Sequence, residues 1–130
     1  MRILLVDDLP DARFVLRKRL EREGKYEIVG EAANGQEAVE LTQSLKPDLV
    51  IMDFRMPVMD GLEATRVIKE SSSEVEVVGF TAFEDPTMRE AMLEAGAVAN
   101  VNKTDLQDLL KLLSEKAART ASAAPPSVEG

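Results

Sequence analysis

A chain of 130 residues, 45% hydrophobic and 31% charged, has room for one globular domain but not for two ordinary ones. It contains no cysteine and no histidine, which excludes disulfides, thiolate or imidazole zinc sites, Ser-His-Asp hydrolysis and a phosphohistidine carried by this chain. The formal net charge of −8, with one tyrosine and four phenylalanines, argues against a surface that neutralises or stacks on nucleic acid. No apolar run approaches the ~20 residues needed to span a bilayer. The apolar start Ile3–Val6 turns acidic at once, so it is read as neither signal peptide nor anchor, and no membrane contact is expected.

Ile3-Leu4-Leu5-Val6 is a continuous apolar run without alternation, the pattern of a strand covered on both faces, and Asp7-Asp8 follow it. Ala12, Leu16 and Leu20 then repeat at helical spacing. The basic residues of this stretch, Arg13, Arg17, Lys18, Arg19 and Arg22, are interleaved with Glu21 and Glu23 and read as a solvated face. Tyr26-Glu27-Ile28-Val29 is a weaker strand, suited to a sheet edge. Asn34 with Glu37 marks a helix start, continued by Ala38, Leu41 and Leu45.

Leu49-Val50-Ile51-Met52 is a second two-faced apolar run, closed by Asp53. Asp60 with Glu63 marks the next helix start. Val77-Val78-Gly79-Phe80 is a third buried strand, followed by Thr81, and Asp85 before Pro86 opens another helix. Val98-Ala99-Asn100-Val101 is a weak strand, with Lys103 two residues beyond it. Thr104 with Gln107 fits a capping box ahead of the apolar stripe Leu106, Leu109, Leu110 and Leu113. From Ala117 the pattern dissolves, so residues 1–117 are read as the domain. Residues 118–130, rich in Ala, Ser and Pro, are read as a flexible tail, either a native C-terminus or a linker cut short.

The strand ends are separated by roughly 21 to 28 residues, room for one crossover helix each. The expected fold is therefore a three-layer α/β sandwich, βαβαβαβαβα, around a five-stranded parallel sheet. In such a sheet the carboxyl ends of the strands face one crevice, where ligands bind. Asp7, Asp8, Asp53, Thr81 and Lys103 would converge there. Any one of them alone is an ordinary cap, loop or surface residue; their coincidence at successive strand ends points to a site.

Two carboxylates ~4 Å apart repel by about 4 kcal/mol at an effective dielectric of 20. One lysine cannot cancel three of them, but a divalent cation can. An all-oxygen donor set fits Mg²⁺, with Mn²⁺ as the alternative. Cation, ammonium and hydroxyl together suit a phosphoryl group, and a carboxylate can serve as nucleophile to give an aspartyl phosphate. The residues alone do not choose among the three aspartates.

Asp7-Asp8, the stretch Asp53-Phe54-Arg55-Met56-Pro57-Val58-Met59-Asp60-Gly61, Thr81-Ala82, and Gly96-Ala97 ahead of Lys103 resemble the receiver domain of two-component response regulators. Ile28-Val29-Gly30-Glu31-Ala32 followed by Gly35 resembles receivers attached to LuxR-type regulators. The resemblance implies a flavodoxin-like (βα)5 fold with strand order 2-1-3-4-5. It makes Asp53 the phosphoryl acceptor, with Thr81 and Lys103 contacting the phosphoryl group. Asp8 and Asp53 would ligate Mg²⁺, with Asp7 acting directly or through water and the backbone carbonyl of Arg55 as a further ligand. Arg55 and Phe83, two residues beyond Asp53 and Thr81, would border the path of attacking water.

The implied donor is a sensor histidine kinase or a phosphotransfer protein. The implied output is a C-terminal DNA-binding domain or a separate target protein, with a homodimer formed on phosphorylation, in the cytoplasm. Beyond phosphorylation and dephosphorylation of its own Asp53, no enzyme activity is implied. The chain departs from the family where it carries Asn100 in place of an aromatic three residues before the lysine, and Thr104 in place of a proline after it. Asn100 is expected to weaken the usual output coupling.

Three competing readings are weaker. Gly30 and Gly35 have the Gly-x₄-Gly spacing of a phosphate loop but lack the following Lys and Ser/Thr. An Asp-nucleophile phosphatase would place Asp-x-Asp after the first strand, where this chain has adjacent acids. A degenerate receiver acting as a phosphorylation-independent protein-binding module would not need all five site residues.

Overall fold

The computed structural model describes residues 1–82 and 85–123, with side chains through Arg119. The elements alternate along the chain: β1 (Arg2–Val6), α1 (Pro10–Glu23), β2 (Glu27–Ala32), α2 (Gly35–Leu45), β3 (Leu49–Met52), α3 (Gly61–Ser71), β4 (Glu76–Thr81), α4 (Pro86–Glu94), β5 (Ala99–Asn102) and α5 (Leu106–Ala123). All strand pairs are parallel, in the order β2-β1-β3-β4-β5. This is the flavodoxin-like order that the family resemblance implies, on the parallel α/β sandwich expected from the residues.

The three apolar runs form the centre of the sheet because both of their faces are covered. Leu4, Val6, Val50, Met52 and Val77 face a core shared with Ala38, Ala64, Ile68 and Met92 of α2, α3 and α4. Ile3, Leu5, Leu49, Ile51, Val78 and Phe80 face a second core with Leu16 and Leu20 of α1 and Leu109, Leu110 and Leu113 of α5. Burying such side chains is worth about 1.5–3 kcal/mol each relative to leaving them exposed.

Helix starts follow the sequence signals at three positions. Asn34, Asp60 and Asp85 each accept the N–H of the residue three further on, namely Glu37, Glu63 and Met88. The box expected at Thr104 and Gln107 does not form. Both the N–H and the hydroxyl of Thr104 donate to Asn102 Oδ1 at 2.9 and 2.8 Å, so the chain turns there and α5 begins at Leu106. That helix continues to Ala123, past Ala117 where the apolar stripe fades. Residues 124–130, the rest of the expected tail, lie outside the described residues.

Strand β2 also runs further than its sequence signal, through Gly30-Glu31-Ala32. Gly30 pairs with Leu4 inside the sheet, so the Gly-x₄-Gly spacing spans a strand end and not a phosphate loop. The solvated-face reading of the basic cluster needs correcting at two residues. Arg13 and Arg17 reach across from α1 to Glu31 on β2, at 2.8 and 3.1 Å.

Candidate functional site

The backbone ladder delivers the site residues one by one. The N–H of Asp7 bonds the carbonyl of Ala32, the last residue of β2, at 3.0 Å. The N–H of Asp53 bonds the carbonyl of Val6, the last of β1, at 3.0 Å, and that of Lys103 bonds Thr81, the last of β4, at 2.8 Å. Each residue is therefore held by the neighbouring strand although its own strand has just ended. Their positions at the sheet's carboxyl edge follow from strand register alone.

The turn after β3 folds back over Asp53. Gly61 N–H bonds the Phe54 carbonyl at 2.8 Å, and a Cβ on Gly61 would lie 2.1 Å from the Asp53 carbonyl oxygen. Only glycine permits that approach. Between them, Met59 N–H bonds the Pro57 carbonyl at 2.7 Å in a γ-turn centred on Val58, whose φ is 69°. A β-branched residue is strained at positive φ. The Met59 carbonyl in turn accepts the Gly35 N–H at 2.8 Å, pinning the turn to the start of α2.

Asp7, Asp8 and Asp53 offer carboxylate oxygens that all lie within 4.8 Å of one another. Asp7 has both oxygens engaged: Oδ1 accepts the Leu9 N–H at 3.0 Å and Oδ2 accepts Lys103 Nζ at 2.5 Å. Lys103 Nζ also stands 3.7 Å from Asp53 Oδ2. Asp53 is 6% exposed. Burial pushes its carboxyl up from 3.8 to about 6, and the neighbouring charge of Asp7 adds to the rise. Lys103 and the Phe54 N–H oppose that rise, and Asp8 adds to it last. The cluster is thus short of positive charge.

A cleft of about 230 Å³ opens on this cluster, lined by Asp8, Leu9, Asp53, Arg55, Thr81, Ala82 and Lys103. Six of the seven expected site residues are therefore at the cleft or, for Asp7, bonded to its lysine: Asp7, Asp8, Asp53, Arg55, Thr81 and Lys103. Phe83 lies outside the described residues. A larger cavity, about 410 Å³, lies at the opposite edge of the sheet near Met1, Asp48 and Glu76. Both are lined by acids and lysines, but among the described residues only the first brings three carboxylates within 4.8 Å of one another, beside a strand-end hydroxyl.

Two residues near the site were not given these positions by the sequence. Asn100 is 5% exposed, and neither its Oδ1 nor its Nδ2 has a hydrogen-bond partner among the described residues. It faces Gly79 across the β4–β5 ladder, and a Cβ on Gly79 would lie 1.9 Å from Asn100 Oδ1. Arg13 donates from Nη1 to the Asp7 carbonyl at 2.5 Å while its Nε holds Glu31. Neither contact has a periodic signature that a sequence pattern would show.

A five-stranded parallel sheet in the order 2-1-3-4-5, with three aspartates and a lysine at its carboxyl edge, defines a receiver-type α/β domain. The family model described as response regulator receiver domain matches residues 3–114, and the chain belongs to that family. Among solved structures, it is similar to a LuxR-family two-component response regulator from Aurantimonas sp. SI85-9A1, with a TM-score of 0.85 and 36% identity. That likeness covers 90% of this chain and 84% of the other.

Among curated proteins, it is 45% identical over 104 residues to protein-glutamate methylesterase/protein-glutamine glutaminase 4 of Myxococcus xanthus (strain DK1622). That match covers 79% of this chain and 30% of the relative. It is also 38% identical over 104 residues to the transcriptional regulatory protein LiaR of Bacillus subtilis (strain 168), covering 80% and 49%. The chain thus spans about a third to a half of the length of these relatives. Among the described residues no helix is long and apolar enough to cross a membrane.

Proposed function

We propose that this receiver accepts a phosphoryl group on Asp53 from a phosphohistidine of a sensor histidine kinase or phosphotransfer protein, in a Mg²⁺-dependent reaction. The modified form then regulates an output domain, of DNA-binding type, or a separate target protein. The observation that carries the reading is the cleft itself, where a buried carboxylate of raised pKa meets Lys103 and Thr81. Asp7 is a poor nucleophile because both of its oxygens are already engaged. Asp53 is preferred over Asp8 because it sits within reach of Lys103 and carries the family motif.

The donor set fits a hard cation. It offers only oxygens, closely spaced, with more negative charge than Lys103 balances. Asp8 and Asp53 would hold Mg²⁺, or Mn²⁺ in its place, with Asp7 direct or through water and the Arg55 carbonyl as a further ligand. Bound there, the ion would supply the positive charge that lets an anionic phosphoryl group approach three carboxylates.

A carboxylate oxygen of Asp53 attacks phosphorus, and the P–N bond of the donor breaks. Its electron pair leaves with the imidazole, which takes a proton from solvent. Lys103 pairs with a phosphoryl oxygen and the Thr81 hydroxyl donates to another, both acting where charge is held in the transition state. The product is a mixed anhydride that water cleaves by the same charge stabilisation, so the signal is transient. The chain acts on no substrate beyond its own Asp53.

The donor approaches over an apolar groove of about 360 Å³ between α1 and α5, lined in part by Ala12, Val15, Leu16 and Leu106. The groove shares Lys103 with the phosphorylation cleft, so a partner seated on it stands beside the acceptor. Such a donor is fed by ATP, which puts the reaction in the cytoplasm. Incubation with acetyl phosphate tests the reading. One phosphoryl group per chain should appear with Mg²⁺ and none with EDTA. Equal labelling in both, or none in either, counts against it.

A further inference from the structure

We infer that Arg13 is a positioning residue for the cation site, acting through the Asp7–Asp8 peptide. The inference rests on the cation-binding reading of Asp7, Asp8 and Asp53. The direction in which Asp8 presents its carboxylate depends on the plane of the peptide that joins it to Asp7. The N–H at the start of Asp7 is fixed by the Ala32 carbonyl at 3.0 Å. The carbonyl of Asp7, which belongs to the joining peptide, accepts Arg13 Nη1 at 2.5 Å. That bond sets the plane.

Arg13 is itself held. It stands in the first turn of α1, where its N–H bonds the Leu9 carbonyl at 3.2 Å. Its Nε donates to Glu31 Oε1 at 2.8 Å, and Glu31 is held a second time by Arg17 Nε at 3.1 Å. The Arg13 side chain is only 16% exposed. A rigid planar guanidinium can therefore span from the edge strand β2 to the loop that carries two of the three carboxylates. A lysine ammonium carries its donors on one nitrogen and lacks the planar fork that places Nε on Glu31 and Nη1 on the Asp7 carbonyl at once. Outer partners that orient metal ligands typically contribute 10–100-fold to metal affinity.

The sign of the effect separates positioning from simple electrostatics. Arg13 is a cation near a cation site, so Coulomb repulsion alone predicts that removing it tightens Mg²⁺ binding. Positioning predicts the reverse. Mg²⁺ titrations of wild type, Arg13→Ala, Arg13→Lys and Arg19→Ala, followed by amide chemical shifts, read the dissociation constants. The ¹⁵N relaxation of the metal-free proteins reads the order of residues 7–9.

The expected result is about 10-fold weaker Mg²⁺ binding in both Arg13 variants. Lower order parameters at Asp8 and Leu9 should accompany it, and Arg19→Ala, which removes a cation paired with Glu23 along α1, should stay within twofold of wild type. Tighter binding in Arg13→Ala, or an Arg13→Lys protein with unchanged affinity and order, overturns the inference. A wild type that binds no Mg²⁺ while Arg13→Lys still loosens residues 7–9 would instead overturn the cation reading and leave Arg13's hold on the loop standing.

Discussion

Replacing Asp53 by asparagine should stabilise the metal-free fold, and only above a defined pH. The Asp53 carboxyl is raised from 3.8 to about 6, first by burial and then by the charge of Asp7. A raised folded-state pKa means that the native state holds the proton more tightly than the unfolded chain. The native state is therefore favoured most below pH 4, and that advantage is lost as the pH rises through about 6. At 1.36 kcal/mol per pH unit, the rise corresponds to roughly 3 kcal/mol of stability lost by the wild type at neutral pH.

The asparagine side chain has nearly the same shape as the aspartate and no charge to bury, so the Asp53→Asn protein escapes that loss. Urea unfolding of the two proteins in EDTA, from pH 4 to pH 8, reads the difference. The curves should nearly coincide near pH 4, diverge between pH 4 and 6, and stay apart by roughly 2–3 kcal/mol above that. Millimolar Mg²⁺ at pH 8 should recover most of the wild-type deficit, because binding to the native state alone stabilises it. Equal stabilities at pH 8 without metal would refute the reasoning, as would a gap that does not change with pH.

Two further substitutions probe the neighbouring structure. Gly61→Ala places a Cβ against the Asp53 carbonyl, so it should cost about 1–3 kcal/mol in unfolding free energy, with weakened Mg²⁺ binding in the same protein. A neutral effect on both would show that the turn is free to move. Asn100→Leu keeps the branching of the side chain and removes a buried amide with no partner among the described residues. It should raise unfolding free energy by about 1–3 kcal/mol, and a loss in denaturant melts would mean that the amide is satisfied in solution.

The central strands were legible because burial on both faces leaves continuous apolar runs, and Ile3–Val6, Leu49–Met52 and Val77–Phe80 all lie in the sheet. The edge strand was harder to bound. The register passes from Ile3 against Ile28 to Leu4 against Gly30, skipping Val29, so a bulge breaks the strand's period just where Gly30 enters. The gathering of Asp7, Asp8, Asp53, Thr81 and Lys103 followed from strand ends alone, whereas naming Asp53 the acceptor needed the family motif.

What the sequence could not show were contacts between residues distant along the chain. Arg13 and Glu31 are 18 residues apart and on different elements, so charge interleaving along α1 read as a solvated face. The inward position of Asn100 depends on Gly79 across the ladder, a pairing that becomes visible only with the strand register. Thr104 looked like a helix cap until Asn102, two residues earlier, took its hydrogen bonds.

The most direct measurement is to find which atom carries the phosphoryl group. The protein is phosphorylated with acetyl phosphate and Mg²⁺, reduced with borohydride to convert any aspartyl phosphate to homoserine, and digested for peptide mass mapping. Homoserine at position 53 and nowhere else, absent from Asp53→Asn and from samples held in EDTA, is the predicted result. Homoserine at position 8, or a stable phosphoryl group on a hydroxyl residue with Asp53 untouched, would contradict the account.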